Sequence, residues 1–194
     1  MDGRYPLMLI QFSIENHRSI KDSAVISFAA SKDKSLESYL LHPDEKRALL
    51  PAIAIYGANA AGKSNVLHAL MTMKDMVVGE AAKISKGQKL PWEPFGDTTV
   101  PTSFEVVFIY QGVRYAYGFS FDAKKIYTEY LYHWPNGREA LIFSEKTAHT
   151  NSVRMLMSKS HSVTARRIIS CILFPQMTGT CRKRKTPTSG SWKS

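Results

Sequence analysis

The octapeptide GANAAGKS, residues 57–64, stands between an apolar run and a helical pattern, and few folds accommodate that order. Gly57 and Gly62 bracket Ala58, Asn59, Ala60 and Ala61 and are followed by Lys63 and Ser64, a full match to the phosphate-binding pattern G-x-x-x-x-G-K-S/T. A polyphosphate must lie against the backbone, so glycines at both ends are expected to turn the chain with positive φ and bring successive N–H groups to the oxygens. Residues 57–62 would form this cradle. Lys63, the candidate catalytic residue, would reach the β- and γ-phosphates. The Ser64 hydroxyl would ligate Mg²⁺, and the N-terminus of the next helix would add a favourable dipole.

The flanks fit. Ala52, Ile53, Ala54, Ile55 and Tyr56 form an apolar run of the kind expected for a strand buried on both faces, with Pro51 at its entrance. Val66, Leu70, Met73 and Val77 recur at steps of four, three and four, one face of a helix for which Gly79 is a plausible stop.

The 194 residues are 44% hydrophobic, enough for a real core. No apolar run approaches the roughly 20 residues that span a bilayer, and the start MDGRYPLMLIQF lacks the uncharged core of a secretory signal, so the cytoplasm is the expected location and no membrane partner is expected. Cys171 and Cys181 make neither a disulfide framework nor a zinc pattern, and His68 and His133 read as ordinary helix or strand residues. The formal charge of +10 is uneven: of 26 Lys and Arg and 16 Asp and Glu, residues 1–144 hold 16 and 15, leaving 10 and 1 for residues 145–194. The division sets a basic tail (145–194) apart, and a natural start at Met8 makes residues 1–7 a leading extension in front of a main lobe (8–144). The tail reads either as an arm for nucleic-acid phosphates or as a disordered or frame-shifted end.

Within the lobe, Met8, Ile10, Phe12 and Ile14 alternate as an early strand with one buried face, and SAVISFAA (23–30) reads as a second. The stretch KDKSLESYLLHPDEKRALL reads as a polar connection with one helical turn. After a loop at 79–101, Phe104, Val106, Phe108 and Tyr110 alternate. Gln111-Gly112 supplies a two-residue turn, and Val113, Tyr115, Tyr117, Phe119 and Phe121 alternate again. DAKK then leads into IYTEYLYHW, and PNG into REALIFS, which completes four antiparallel strands. Their aromatic residues are read as core and cross-strand packing rather than base-stacking platforms.

Small nucleotide kinases begin at the glycine turn and alternate strand with helix, whereas here two strands precede the turn and a meander follows. No N-K-x-D segment specifies guanine, so adenine is the expected base. The segments LIQFSIENHRSIKDSAVISF, LLPAIAIYGANAAGKSNVLHAL and SFEVVFIYQGVRYAYGFSFDAKKIYTEYLYHW together resemble the N-terminal half of bacterial AAA-annotated ATPases with an ABC-type head. These include ATPase subunits of phage-defence and abortive-infection systems, the overcoming-lysogenisation-defect nucleases and, more distantly, chromosome-maintenance ATPases. The resemblance spans residues 8–144. It implies an α/β P-loop NTPase lobe with an antiparallel meander, ATP and Mg²⁺ as cofactors, dimerisation through the heads and an effector, such as a nuclease subunit, acting on nucleic acid. Asn59 and Asn65 fit that family better than a kinase and are counted with the turn among the nucleotide-binding residues. ENHRSI stands where such heads contact nucleotide, so the resemblance brings Arg18 toward the phosphates; an exposed loop cation is the alternative.

The pattern departs from the family at its distal end. No strand ends in Asp-Glu, no Leu-Ser-Gly-Gly-like segment occurs, and Asp122 sits in a hairpin turn, so the lobe is expected to be incomplete and to bind ATP with little or no turnover. A non-hydrolysing nucleotide-binding regulatory module and a small-molecule P-loop kinase are the competing readings.

Overall fold

A computed structural model describes residues 7–33, 35–78 and 89–146. Its largest element is a six-stranded antiparallel sheet built from β1 (Leu7–Glu15), β2 (Ala24–Ser27), β5 (Thr102–Tyr110), β6 (Val113–Phe121), β7 (Ile126–Trp134) and β8 (Ala140–Lys146), in the order β2-β1-β5-β6-β7-β8. The four-strand meander is where alternation places it. Gln111 and Gly112 have φ of 50° and 79°, the pair of left-handed residues that a two-residue hairpin turn needs.

One face of this sheet carries Phe12, Ile14, Phe104, Val106, Phe108, Tyr117, Phe119, Phe121, Ile126 and Leu131, all buried. The phenylalanine rings interlock at Phe104, which lies 6.2 Å from Phe12, 5.9 Å edge-on from Phe119 and 5.6 Å from Phe121. The aromatics of β5 and β6 are therefore core, as alternation indicates. Helix α1 (Lys63–Val78) covers this face with Ala69, Met73, Met76 and Val77, while Val66 and Leu70 are partly buried against it. That is the apolar stripe the spacing predicts. Glu129 is buried on the same face and accepts a 2.8 Å hydrogen bond from the Tyr117 hydroxyl.

The alternation in β1 is broken where the sequence reads as regular. The pairing of β1 with β5 runs Leu9↔Phe108 and then Gln11↔Val107, so Ile10 is a bulge. One extra residue exchanges the faces on its N-terminal side. Leu7 and Leu9 pack on the main core with Phe12 and Ile14, whereas Met8, opposite Ile109, is buried outside that cluster. On this second face Gly118 of β6 lies between Glu105 and Tyr130, and the Tyr130 hydroxyl crosses it to donate a 2.6 Å hydrogen bond to the Glu105 carboxylate. A Cβ on Gly118 would come within 2.5 Å of that hydroxyl oxygen, so the crossing requires glycine.

The connection between β2 and the glycine turn holds more structure than its polarity indicates. The anticipated helical turn is the 3₁₀ turn Glu37–Tyr39, but it is followed by a hairpin of β3 (Leu41–Asp44) and β4 (Arg47–Leu49), fastened by an Arg47–Asp44 ion pair at 2.5 Å. Leu49 is buried.

The apolar run before the glycine turn departs furthest from expectation. Residues 52–58 form no strand, Ile55 is 45% exposed and Tyr56 90% exposed. No ladder joins the run to a described strand, so its N–H and C=O groups take no part in either sheet. The leading residues 1–6, Gly79 and the tail from 147 onward, with both cysteines, lie outside the described residues; the last strand runs to Lys146. Among the described residues no helix is long and apolar enough to cross a membrane.

Candidate nucleotide-binding site

The glycine turn enters α1 directly. Ala61 N–H closes a tight bend on the Ala58 carbonyl at 3.2 Å, and Asn65 N–H takes the Gly62 carbonyl at 2.9 Å as the helix begins. The two glycines are not equivalent. Gly62 has φ of +86°, and a Cβ there would lie 2.7 Å from Ser19 Oγ, so only glycine fits. Gly57 is not left-handed, and a Cβ on it would make ordinary contact at 3.5 Å with Ala61. The second left-handed residue is Ala60, with φ of 63°. The expectation that both glycines supply positive φ is thus corrected for Gly57.

Lys63 curls back over the turn, its ammonium donating to the carbonyls of Gly57 (2.7 Å) and Ala58 (2.6 Å). These neutral acceptors give the charge a local partner inside the concavity, and a phosphate oxygen would replace them with an anion and a stronger bond. Ser64 is exposed on the first turn of α1, and Gly57, Ala58, Asn59, Ala60 and Ala61 are exposed with it. A hydroxyl, an ammonium and turn N–H groups beside the start of a sixteen-residue helix are the donor set that a polyphosphate with its Mg²⁺ needs, so the residues present fit both groups.

The β1–β2 turn forms the neighbouring wall. Asn16 and Arg18 both have φ of 51°, and His17 and Ile20 exchange backbone hydrogen bonds at 2.8 and 2.9 Å. Ser19 Oγ rests against Gly62 and accepts a hydrogen bond from Asn65 Nδ2 at 2.7 Å. Asn65 therefore acts in the structure as a clasp between helix and turn. Arg18, next to Ser19, points its Nε at Glu93 Oε2 at 2.5 Å, and its backbone N–H meets the Glu93 carbonyl at 2.8 Å. Their mutual hydrogen bond holds the guanidinium pKa above, and the Glu93 pKa below, its ordinary value. Asn16 fastens the same wall from behind. Its side chain donates to the Val100 carbonyl and accepts from Phe95 N–H, while its own carbonyl accepts from the buried Thr102 hydroxyl at 2.6 Å.

His17 is fully buried, edge-on to Phe104 at 5.3 Å, and among the described residues neither ring nitrogen has a hydrogen-bond partner. Desolvation, with smaller pushes from Arg18 and His68 and against the pull of Glu93, lowers its pKa from 6.5 to about 4, so it is neutral at pH 7. Asp122, the carboxylate nearest in pattern to a strand-end metal ligand, is consumed by its hairpin. Oδ1 accepts the N–H groups of Lys124 and Lys125 at 2.6 and 2.8 Å, and Oδ2 accepts the Tyr127 hydroxyl at 2.8 Å.

Of the residues named from sequence, the structure gathers 57–65 with the backbone of Arg18, and it adds Ser19 beside Gly62. Glu93 and Asn16 went unrecognised. Glu93 lies in LPWEPFGD, where its only local mark is a proline on either side of Trp92-Glu93, and neither residue matches a spacing rule.

A family model described as "AAA domain, putative AbiEii toxin, Type IV TA system" matches residues 52–155, more than half of the chain. The chain belongs to this family. It is accordingly an ATP-binding, ATPase-type P-loop domain of α/β class and of the abortive-infection kind. The match opens at the apolar run before the glycine turn and takes in α1 and the meander; β1 and β2 precede it. No curated protein matches the chain.

Proposed function

We propose that the chain binds ATP with Mg²⁺ at residues 57–65 and serves as the head of an ABC-type ATPase, whose nucleotide-dependent pairing with a second head controls a defence effector acting on nucleic acid. The carrying observation is the turn itself: left-handed Gly62 packed on Ser19, and the Lys63 ammonium held inside the turn on carbonyls that an anion would displace. In this reading Lys63 binds the β- and γ-phosphates, Ser64 holds the metal, Arg18 adds a cation from the β1–β2 turn and Asn65 keeps that turn in place. Mg²⁺ supplies charge neutralisation between the phosphates. The exposure of residues 57–61 supports a shared site, since a nucleotide there would be open to cover from a second head.

A non-hydrolysing regulatory module is the second reading. It draws support from the engagement of Asp122 in its hairpin and of Glu105 with Tyr130, which occupies two carboxylates that could otherwise have oriented water or metal. Titration with a fluorescent ATP analogue tests the shared part of both. Lys63→Ala should lose about tenfold or more in affinity, from the roughly 1.5–3 kcal/mol of a charged hydrogen bond. An unchanged titration curve would exclude binding at this turn.

A further inference from the structure

We infer that Glu93 is a positioning residue of this site, holding Arg18 as the cation that distinguishes a nucleoside triphosphate from a diphosphate; the inference rests on the nucleotide-binding reading above. Arg18 belongs to a turn clamped on two sides. Toward the phosphate turn, Ser19 abuts Gly62 and is held by Asn65. Away from it, Asn16 is bound to Phe95 and Val100, and Arg18 N–H to the Glu93 carbonyl. That backbone bond already ties the two segments, so the side-chain pair is not needed to join them. With side chains 32% and 50% exposed, the pair also adds little to stability.

Its geometry suits another use. Glu93 takes the Nε of Arg18, which among the described residues leaves both terminal amino groups of a planar fork, now fixed in direction, for a further acceptor. Arg18 directly precedes Ser19, which abuts Gly62 and is held by Asn65 on the first turn of α1, so the pair belongs to a turn packed at the start of that helix. A diphosphate can be satisfied by the turn N–H groups, Lys63 and the metal. A triphosphate carries one more anionic group past the turn, and a cation from a separate element is what meets it. Arg18 alone would have to give up its rotamer freedom on binding, and Glu93 removes that penalty beforehand.

ATP and ADP affinities of the full chain provide the test, with Lys63→Ala as reference. Glu93→Ala and Arg18→Ala should each weaken ATP about tenfold, the loss of one charge-assisted contact, while ADP changes by no more than about twofold. The double variant should be no worse than Arg18→Ala. Glu93→Gln, whose amide oxygen still accepts from Nε, should recover part of the loss, which guards against misfolding of the alanine form. The inference is overturned if Glu93→Ala costs as much ATP affinity in the Arg18→Ala background as in the native chain. It is equally overturned if ADP suffers as much as ATP, or if Glu93→Ala binds normally while Lys63→Ala does not. A native chain that fails to bind ATP, or a Lys63→Ala variant that binds as well as native, would overturn the nucleotide reading itself and the inference with it.

Discussion

Replacing His17 by phenylalanine should flatten the pH dependence of folding stability on the acid side of neutrality. The imidazole has no exposed surface and, among the described residues, no hydrogen-bond partner, and burial lowers its pKa from 6.5 to about 4. Between those values the unfolded chain takes up a proton that the folded chain refuses, so stability rises with pH through this window. The contribution is complete above pH 6.5 and is lost as pH falls toward 4. Going from about pH 7.5 to about pH 5 should remove about 2 kcal/mol of the roughly 3 kcal/mol available in full. The other displaced groups move away from the middle of the window: Glu93, Asp122 and Asp33 are lowered from the ordinary carboxylate range at or below its acid edge, and Tyr115, Tyr127 and Tyr130 are raised from values above it. Phenylalanine keeps an aromatic edge against Phe104 and cannot take a proton. Urea unfolding at both pH values, followed by tryptophan fluorescence, should show the native chain losing about 2 kcal/mol more than His17→Phe. Equal losses in the two proteins would mean that the ring is reached by water or paired, and the argument from burial would fail.

Other perturbations test other parts of the structure. Gly118→Ala drives a Cβ to within 2.5 Å of the Tyr130 hydroxyl and should destabilise the sheet by about 1–3 kcal/mol in chemical unfolding, with much of the loss relieved when Tyr130→Ala is added. Gly62→Ala combines a left-handed φ with a 2.7 Å approach to Ser19 Oγ, so ATP titration should show binding lost, and Ser19→Gly in the same chain should restore only part of it because the φ strain remains. Purified chain should release phosphate from ATP far more slowly than about one per second, the low end of ordinary enzymes. Faster release that disappears in Lys63→Ala would show that catalytic carboxylates lie among the residues assigned other duties.

The meander was legible because its alternation is long and its turns carry the residues they require: Gln111-Gly112 at positive φ, and Asp122 accepting two backbone N–H groups of its own hairpin. Helix α1 was legible because Met73 and Val77 repeat at helical spacing and both are buried. What escaped reading depends on contacts distant in sequence. The Ile10 bulge is set by the register against β5, and nothing in LMLIQFSIE marks it, yet it puts Leu9 on the face of Phe12 and Ile14 and Met8 on the other. Glu93 meets Arg18 across 75 positions, and the Asn16 side chain reaches Val100 across 84. No local pattern encodes such pairs.

The same distinction explains the apolar run at 52–56, which the sequence marks as a buried strand and the structure leaves without a ladder. Local propensity establishes what a segment is suited to; hydrogen bonding across a sheet establishes what it forms, and strand pairing is always with another segment. Ala52, Ile53, Ala54, Ile55 and Tyr56 have the composition of a central strand, but β1 already has β2 and β5 on its two sides, and β5 has β1 and β6. Among the described strands only β2 and β8 offer a free edge of the large sheet, and the run pairs with neither. With Tyr56 exposed one residue before Gly57, the contacts that hold the phosphate turn among the described residues are those of Lys63, Asn65 and Ser19. Nucleotide affinity should in consequence respond to the clasp: Asn65→Ala, which removes the 2.7 Å bond to Ser19, should weaken ATP binding although Asn65 contacts no phosphate in this reading. Ser19→Ala should weaken it to the same degree, and the two together no further. Strictly additive losses would show that Asn65 meets the nucleotide directly and that the turn draws its support from elsewhere.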